Sequence, residues 1–455
     1  MKQRLMDALK NARADYAEIR YEQSDATSFS YRGPEQENAS TGCTTGGIVR
    51  ACHRGGWGVC SFDTLDDLEE KVADACSAAA LVGREKTVLA EGVPVVDQEF
   101  RAPLQQDFRT VPIQDKVALV ERYNEIVRKS TPGVETSLVS YSDTFRTVYF
   151  ASTRGSYFLD ERPRAILVLS AGARSGGLVQ RAHESVASAT DYGIVFGREE
   201  LAREVAQRAV DLLKAPQCPG GRYTVVLRPD LTGVFAHEAF GHLSEADFLY
   251  ENQQMRELMT IGRVMGVKNL NITDDGARGT LQGTHPVDDE GVPTQRTELI
   301  KNGVLVGHLH SLETAGKMGA RPTGNARAIS GGYAPIVRMT NTFIEPGDLT
   351  REQLFADIDD GIYACGMKGG QTMMEMFTFS AAYGYRIRNG QVCELLRDVV
   401  LTGNVFDTLH AIDGIADDFT INETGGGCGK GGQSPLPVTE GGPHIRIRNA
   451  VIGGR

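Results

Sequence analysis

The spacing of two histidines constrains the fold of this chain most. His237 and His242 lie five positions apart in the segment His-Glu-Ala-Phe-Gly-His. On a regular α-helix such positions point about 140° apart, so the two imidazoles would diverge. A single-turn π-bulge would bring them to one face, and such bulges are common at functional sites. Gly241 is the position where the backbone could adjust. The sequence therefore predicts a helix with a local distortion at 237–242.

The same segment resembles a zinc-peptidase motif with one additional residue. In HExxH peptidases, two histidines on one helical face bind zinc and the glutamate beside the first histidine is the general base. Glu238 occupies the corresponding position here. On this segment alone, a pair of histidines without any metal remains the alternative interpretation.

A late cysteine supplies a third candidate ligand. Cys428 lies in the glycine-rich segment 424–433, whose backbone could bring a thiolate close to another group. Two imidazoles and a thiolate fit the three-ligand pattern of catalytic zinc. The alternatives are a flexible loop with an idle thiol and a phosphate-binding loop. The second fits less well, because Thr424 and Gly431 stand where Walker A needs glycine and Ser or Thr.

Composition excludes several other functions. The chain is 41% hydrophobic and 24% charged, as in ordinary globular proteins, and its net charge of −11 gives no support for nucleic-acid binding. We find no run of 18 apolar residues and no secretion signal. The eight cysteines show no CxxC pair, which fits reduced thiols. We therefore expect a cytoplasmic protein with no nucleic-acid and no membrane partner.

Element patterns predict an α+β protein with two domains. Residues 1–220 are expected to form an N-terminal α/β domain, and residues 221–455 a mostly β domain that carries the metal-binding helix. The Pro/Gly-rich segment 215–221 marks the boundary. A strand at 223–227 should lead into the motif helix, with Asp230 as its N-cap. Hairpins are expected at Asn302-Gly303 and Asn389-Gly390.

Several charged residues leave alternatives open. Asp288, Asp289 and Glu290 are expected to form a solvated acidic loop, because they lack the alternating ligand spacing of an EF-hand. Glu245 and Asp247 could orient a ligand imidazole or lie at the surface. Arg327 could hold a peptide carboxylate or a backbone group, and the sequence does not decide between these roles.

The chain resembles the TldD/PmbA metallopeptidases, and within them the metal-bearing TldD type. The resemblance covers the whole chain and is closest from about Tyr223 onward. The matching segments occur in the family's order, and they are His237 to His242, Pro322 to Arg327, Arg338 to Thr342, Gly361 to Tyr363, Cys428 to Lys430, and Gln433-Ser434.

This resemblance implies a catalytic zinc site and a peptide substrate. It implies Zn²⁺ bound by His237, His242 and Cys428, with Glu238 as the catalytic acid/base. It also implies unfolded peptides as substrates, enclosed between two subunits. A homodimer is the first expectation, because the chain carries a complete ligand set, and a heterodimer with a metal-free relative is the alternative. Two other functions stay open: a zinc amidohydrolase acting on small molecules, and a non-catalytic partner subunit of a peptidase.

Overall fold

A computed structural model describes residues 1–453 of the chain, and it has the mixed α+β architecture that the sequence predicts. Its α-helices are α1 (Lys2–Leu9), α2 (Leu68–Val82), α3 (Ile113–Lys129), α4 (Glu199–Lys214), α5 (Pro229–Phe235), α6 (Ala246–Glu251), α7 (Gln253–Leu258), α8 (Leu312–Met318), α9 (Arg351–Phe355) and α10 (Val405–Ala411). A π-helical segment, Ala236–Gly241, follows α5 directly.

The first sheet contains all strands before Gly221. These are β1 (Tyr16–Arg32), β2 (Glu35–His53), β3 (Gly56–Phe62), β4 (Asp97–Phe100), β5 (Val134–Ser152), β6 (Tyr157–Ser175) and β7 (Leu178–Ser188). Their order is β3-β2-β1-β5-β6-β4, with β7 also paired to β6, and only β4 runs parallel to its neighbour. Long alternating strands favour such an antiparallel arrangement, in which each face buries every second residue.

The remaining strands belong to the second half of the chain. They are β8 (Gly221–Leu227), β9 (Ile272–Asp275), β10 (Arg296–Lys301), β11 (Val304–Leu305), β12 (Ala326–Arg327), β13 (Ile336–Val337), β14 (Asn341–Ile344), β15 (Asp360–Met373), β16 (Met376–Arg388), β17 (Gln391–Leu396), β18 (Val400–Asn404), β19 (Ile412–Ile415), β20 (Thr420–Asn422), β21 (Cys428–Lys430), β22 (Gln433–Leu436), β23 (Thr439–Gly442) and β24 (Ile445–Gly453).

The two faces of the first sheet have different partners. Ala17 and Ile19 of β1 pack in one hydrophobic cluster with α1 and α2. A second cluster joins β5 and β6 to α3 and α4. The opposite face carries Glu18, Arg20 and Glu22, and it is covered by the second half of the chain. The alternation along β1 thus separates an apolar layer from a polar one.

That polar face forms a buried layer of ion pairs, called here the charge layer. Its side chains are at most 9% exposed, and its members are Glu18, Arg20, Glu22, Arg50, Arg162, Asp289 and Glu290. Arg50 lies 2.8 Å from Glu18 and 2.7 Å from Glu290. The expectation of a solvated acidic loop at 288–290 is therefore wrong. Arginines from the first sheet cover Asp289 and Glu290, and backbone N–H groups donate to the buried Asp288.

A central strand of the second half delivers the motif helix. The order of its larger sheet is β15-β8-β24-β18-β16-β17, so β8 lies between β15 and β24, and Val225 to Leu227 are fully buried. A second sheet has the order β11-β10-β9-β14-β23-β20. Helix α5 and the π segment pack between these two sheets, against β15 on one side and β14 and β23 on the other. Such a position holds the helix rigidly.

Most of the predicted elements are present, with small shifts. Both Asn-Gly hairpins are confirmed, joining β10 to β11 and β16 to β17, and both asparagines have positive φ. Pro229 occupies the first turn of α5 and Arg228 its N-cap position, so the expected cap at Asp230 is wrong by two residues. Pro229 is suited to that first turn because it lacks an N–H. The division at residue 220 stays a prediction.

Two further findings concern the chain as a whole. All eight cysteines lie in the described region and are free thiols. Within residues 1–453, none of the helices is both long enough and apolar enough to cross a membrane.

Candidate metal centre

The predicted distortion of the motif helix is present. The backbone is π-helical over Ala236–Gly241, and the ring centroids of His237 and His242 lie 5.1 Å apart. Gly241 serves a different purpose from the expected one. Its φ of −56° is ordinary for a helix, but a Cβ added there would lie 2.0 Å from Met339 Sδ. The glycine is therefore required by close packing.

Cys428 reaches the same point from a distant part of the sequence. It begins β21, which pairs with β22, and Arg338 donates a hydrogen bond to its carbonyl oxygen at 2.7 Å. Its Sγ lies 3.4 Å from His242 Nε2. One ligand atom each from His237, His242 and Cys428 lie within 4.8 Å of one another. The structure thus brings all three predicted metal ligands together.

The three groups strongly influence one another's protonation. Burial alone would raise the pKa of Cys428, but the neighbouring imidazoles lower it to about 4. Burial lowers the pKa of His237, and the thiolate outweighs this effect and raises it to about 9. Burial also acts to lower the pKa of His242, but Glu245 and Cys428 together hold this pKa well above its ordinary value. The thiolate and the two imidazoles thus stabilise one another's charged forms.

Glu245 orients one of the two imidazoles. Its Oε2 lies 3.1 Å from His242 Nδ1, which leaves Nε2 directed toward Cys428. Lys430 Nζ approaches Glu245 at 3.0 Å and Asp247 at 2.6 Å. Burial would raise the pKa of Glu245, but His242 and Lys430 lower it to about 2. Of the two acids that follow the motif, Glu245 contacts the histidine and Asp247 holds the lysine.

Glu440 on β23 has the same relation to the other imidazole. Its Oε1 lies 3.5 Å from His237 Nδ1. Burial raises the pKa of Glu440, His237 opposes the rise, and the Glu238 carboxylate adds to it. Sequence reasoning missed this residue, because nothing near position 440 resembles a ligand motif. Only the parallel pairing of β23 with β14 brings it beside the π segment.

Glu238 lies next to this group on the partly exposed side. His237 is 1% exposed, whereas Glu238 has intermediate exposure and the His242 side chain is 21% exposed. Solvent therefore reaches the group past Glu238 and His242. Strand β15 runs along this side, where Thr372 donates a hydrogen bond to the carbonyl oxygen of Glu238.

The donor set fits a zinc ion. Two imidazole nitrogens and one thiolate are a typical three-ligand set for catalytic zinc, and each imidazole has a carboxylate beside its Nδ1. His237 Nδ1 is buried, lies 3.5 Å from Glu440 and forms no hydrogen bond within residues 1–453. A cation among the three converging donors would compensate for the burial of these polar groups, which otherwise costs free energy.

The other family-like segments support this arrangement. Arg338 Nη1 donates to the carbonyl of Gln433, and its Nη2 to that of Cys428. Asn325 Nδ2 and Thr340 Oγ1 both donate to Asp274 Oδ1, at 2.9 Å and 2.6 Å. The Arg338 contacts fix the loop that presents the thiol, and Asn325 in turn donates to the Arg338 carbonyl. The segments are therefore a scaffold for the three candidate ligands.

Sequence profiles of one family match nearly the whole chain. Residues 220–454 match the profile described as "PmbA/TldA metallopeptidase C-terminal domain", residues 106–213 the central domain, and residues 17–79 domain 1. A protein of Synechocystis sp. named a metalloprotease is 46% identical over 444 residues, which cover 97% of this chain and 96% of that protein. The chain belongs to the PmbA/TldD family of metallopeptidases.

More distant relatives agree with this assignment. A protein of Saccharolobus solfataricus named "Zinc metalloprotease TldD homolog" is 29% identical over 445 residues, covering 97% of both chains. The crystal structure of TldE from Thermococcus kodakarensis has a TM-score of 0.77 at 19% identity and covers 100% of both chains. The likeness to TldE concerns the fold alone. The name of the Saccharolobus solfataricus protein implies a metal, and the His-His-Cys group is where this chain could bind one.

Proposed function

We propose that this protein is a zinc-dependent peptidase whose metal is bound by His237, His242 and Cys428. The observation that carries the proposal is the convergence of these three donors to within 4.8 Å beside Glu238. Family membership supplies independent support, because relatives are named metalloproteases. The donor set favours zinc over calcium or magnesium, which prefer oxygen ligands.

Glu238 has the role of general acid and base in this proposal. When bound, zinc supplies Lewis-acid polarisation of a carbonyl and acidification of a water molecule. Glu238 accepts the proton of the attacking water and then donates it to the leaving amine. Glu245 and Glu440 keep the imidazoles of His242 and His237 in the orientation that directs their other nitrogens toward Cys428.

An open strand edge beside Glu238 supports an extended peptide as substrate. Residues 361–364 of β15 pair with both β8 and β16. Within the described chain, residues 367–373 pair only with β16, and positions 368–371 are exposed. A Cβ at Gly370 would lie 3.6 Å from Glu238 Cγ. An extended peptide could add to this edge by main-chain hydrogen bonds, which would make selection broad and exclude folded substrates.

A dimer completes the proposal. We place the active chain in a homodimer that encloses the site, and a heterodimer with a metal-free relative is the alternative. The structural similarity to TldE is compatible with either assembly. Light scattering of the purified chain, alone and mixed with such a relative, distinguishes the two. An active monomer would contradict the enclosed site.

Two variants test the chemistry. Cys428→Ala should lose most of its zinc, measured as metal per chain, because a strong thiolate ligand is removed. Glu238→Gln should keep its zinc and lose about 10²–10⁴-fold in peptide turnover. The substrate is one protein offered in native and in unfolded form, together with a panel of small amides.

The outcomes separate the three candidate functions. Cleavage of the unfolded form alone supports the peptidase. Cleavage of small amides without peptides indicates an amidohydrolase, and a chain without zinc or turnover indicates a partner subunit. If Glu238→Gln lost its metal, Glu238 would be a ligand and its proposed role would be wrong.

A further inference from the structure

A large cavity lies between the first sheet and the second half of the chain. Its volume is about 760 Å³, and one wall is the polar face of β5 and β6. Arg162 and Arg164 are alternate residues of β6, so both point from the same face. Arg146 of β5 is the cross-strand partner of Arg162. Arg327 contributes from the opposite wall.

Two of these arginines have carboxylate partners and two do not. Arg146 pairs with Glu22 at 2.8 Å, and Arg162 pairs with both Asp160 and Asp289. Within residues 1–453, Arg164 and Arg327 form no ion pair. Their guanidinium groups donate instead to neutral acceptors, and the acceptors are Gln282, Gly425 and Gly426 for Arg164, and Met339, Pro437 and His285 for Arg327.

The protein thus holds Arg164 and Arg327 at this cavity with no carboxylate in direct contact, although Asp289 also lines the cavity and acts on Arg327 from a longer distance. Burial, with Arg146 as a smaller contribution, lowers the pKa of Arg164 to about 10. Burial and Arg338 lower the pKa of Arg327 to about 9. Both groups still carry a proton at neutral pH. An anion in the cavity would therefore relieve a burial cost that the chain otherwise bears alone.

One hydrogen-bond donor of the wall has no partner. Arg162 Nε and Nη1 face Asp160 and Asp289, but the buried Nη2 donates no hydrogen bond within the described residues. The side chain as a whole is only 9% exposed. A buried unpaired donor of this kind costs free energy unless a ligand or water accepts from it.

The cavity is close to the candidate metal centre. Its lining includes Pro435, Leu436 and Pro437, and Leu436 is the strand partner of Cys428. Directly opposed residues of antiparallel strands have Cα atoms about 4.5–5.5 Å apart. Arg164 also binds the carbonyls of Gly425 and Gly426 in the loop that leads to Cys428. Arg164 therefore lines the cavity and also contacts the loop that carries the Cys428 thiol.

We propose that this cavity binds a carboxylate of the peptide substrate, held by Arg164 with Arg162 and Arg327. The identity of the ligand as a peptide rests on the proposed peptidase function. Guanidinium groups bind carboxylates in charge-assisted, often bidentate pairs, and these are the strongest hydrogen bonds that a peptide can form here. The carboxylate is either the C-terminus of the peptide or the side chain of an Asp or Glu.

Two matched pairs of peptides test the proposal and distinguish the two sources. The first pair shares one unstructured sequence and ends in a free carboxylate or in a carboxamide. The second pair is amidated and carries Glu or Gln at one internal position. Binding is titrated to the full-length, zinc-loaded Glu238→Gln protein, and mass spectrometry checks that each peptide stays intact. Glu238 does not line the cavity.

We expect the charged member of at least one pair to bind about tenfold more tightly, since charged hydrogen bonds are worth this much. A preference in the first pair identifies the C-terminus, and a preference in the second identifies a side chain. Equal binding within both pairs overturns the proposal, and the peptide pairs alone are enough to show it, without any arginine variant.

Arginine variants then locate the preference. Arg164→Gln should abolish it, and Arg164→Lys should retain part of it because the charge remains. Arg174→Gln is the matched control, since Arg174 lies on the same strand but is exposed and pairs with Glu135. Zinc content and the near-UV circular dichroism spectrum check that the loop of Cys428 is intact in each variant. A preference that survives in Arg164→Gln overturns the assignment.

Turnover is measured separately on the otherwise unchanged protein. If the protein prefers the carboxylate peptides in binding but hydrolyses no peptide, the carboxylate-binding role of the cavity stands and the peptidase function is overturned. If it hydrolyses peptides without such a preference, the peptidase function stands and the carboxylate-binding role is overturned.

Discussion

The charge layer and the His-His-Cys group are both buried and polar, yet they differ in how their groups are partnered. In the charge layer, acids and bases from the two halves meet at 2.7–3.2 Å. In the candidate metal centre, three donor groups converge on one another, and the carboxylates of Glu245 and Glu440 lie behind the two imidazoles. Buried groups that pair with one another stabilise the fold, whereas buried donor atoms that converge on one point indicate a site for a bound ion.

The largest effect on stability is expected in the charge layer. Arg50→Met leaves Glu18 and Glu290 without their shared cation. Breaking a buried pair in this way costs about 3–5 kcal/mol, which urea denaturation would measure as a loss in the free energy of unfolding. A loss below about 1 kcal/mol would show that the layer behaves like a solvated surface and would break the comparison.

The next largest effect is expected in metal affinity. Glu245→Gln and Glu440→Gln remove the charges behind the two imidazoles, and such changes typically weaken metal binding 10–100-fold. The effect should be larger for Glu245, because its distance to the imidazole is 3.1 Å against 3.5 Å for Glu440. Competition with a zinc chelator measures the affinity. Unchanged affinity in both variants would contradict the role assigned to these carboxylates.

A smaller effect should appear in the pH dependence of stability. Burial raises the pKa of Asp289, but Arg162 and Arg20 outweigh it and hold the pKa below its ordinary value of 3.8. A depressed pKa stabilises the fold above pH 3.8, and this contribution is lost as the pH falls. The stability difference between the wild type and Asp289→Asn should therefore shrink as the pH falls below 3.8. Urea denaturation at several pH values tests this, and a constant difference would refute it.

The smallest effect is expected for an exposed pair. Arg174 and Glu135 lie 2.8 Å apart, and both side chains are more than half exposed. Arg174→Gln should change the free energy of unfolding by no more than about 1 kcal/mol, because surface pairs are screened by solvent. The same denaturation assay provides the reference for Arg50→Met. A cost equal to that of Arg50→Met would remove the distinction between buried and exposed pairs.

Sequence reasoning predicted those parts of the site that depend on the spacing of neighbouring residues. The spacing of His237 and His242 required a π distortion, and the distortion is there. The glycine-rich segment made Cys428 a candidate ligand, and the family resemblance then implied it as the third one. Glu440 could not be found in this way, because its contact with His237 depends on which strands pair. The acidic residues 288–290 were misjudged for the same reason, since Arg20 and Arg50, the partners of Asp289 and Glu290, lie more than 200 positions earlier.

The distance in sequence between the candidate ligands affects the order of events during synthesis. Cys428 follows His242 by 186 positions. At about 5–20 residues per second, a ribosome needs roughly 10–40 s to add those residues. Strand β24, which flanks β8, is made later still. Throughout that interval a nascent chain has the two imidazoles but lacks Cys428, so the complete site forms only after most of the polypeptide has emerged.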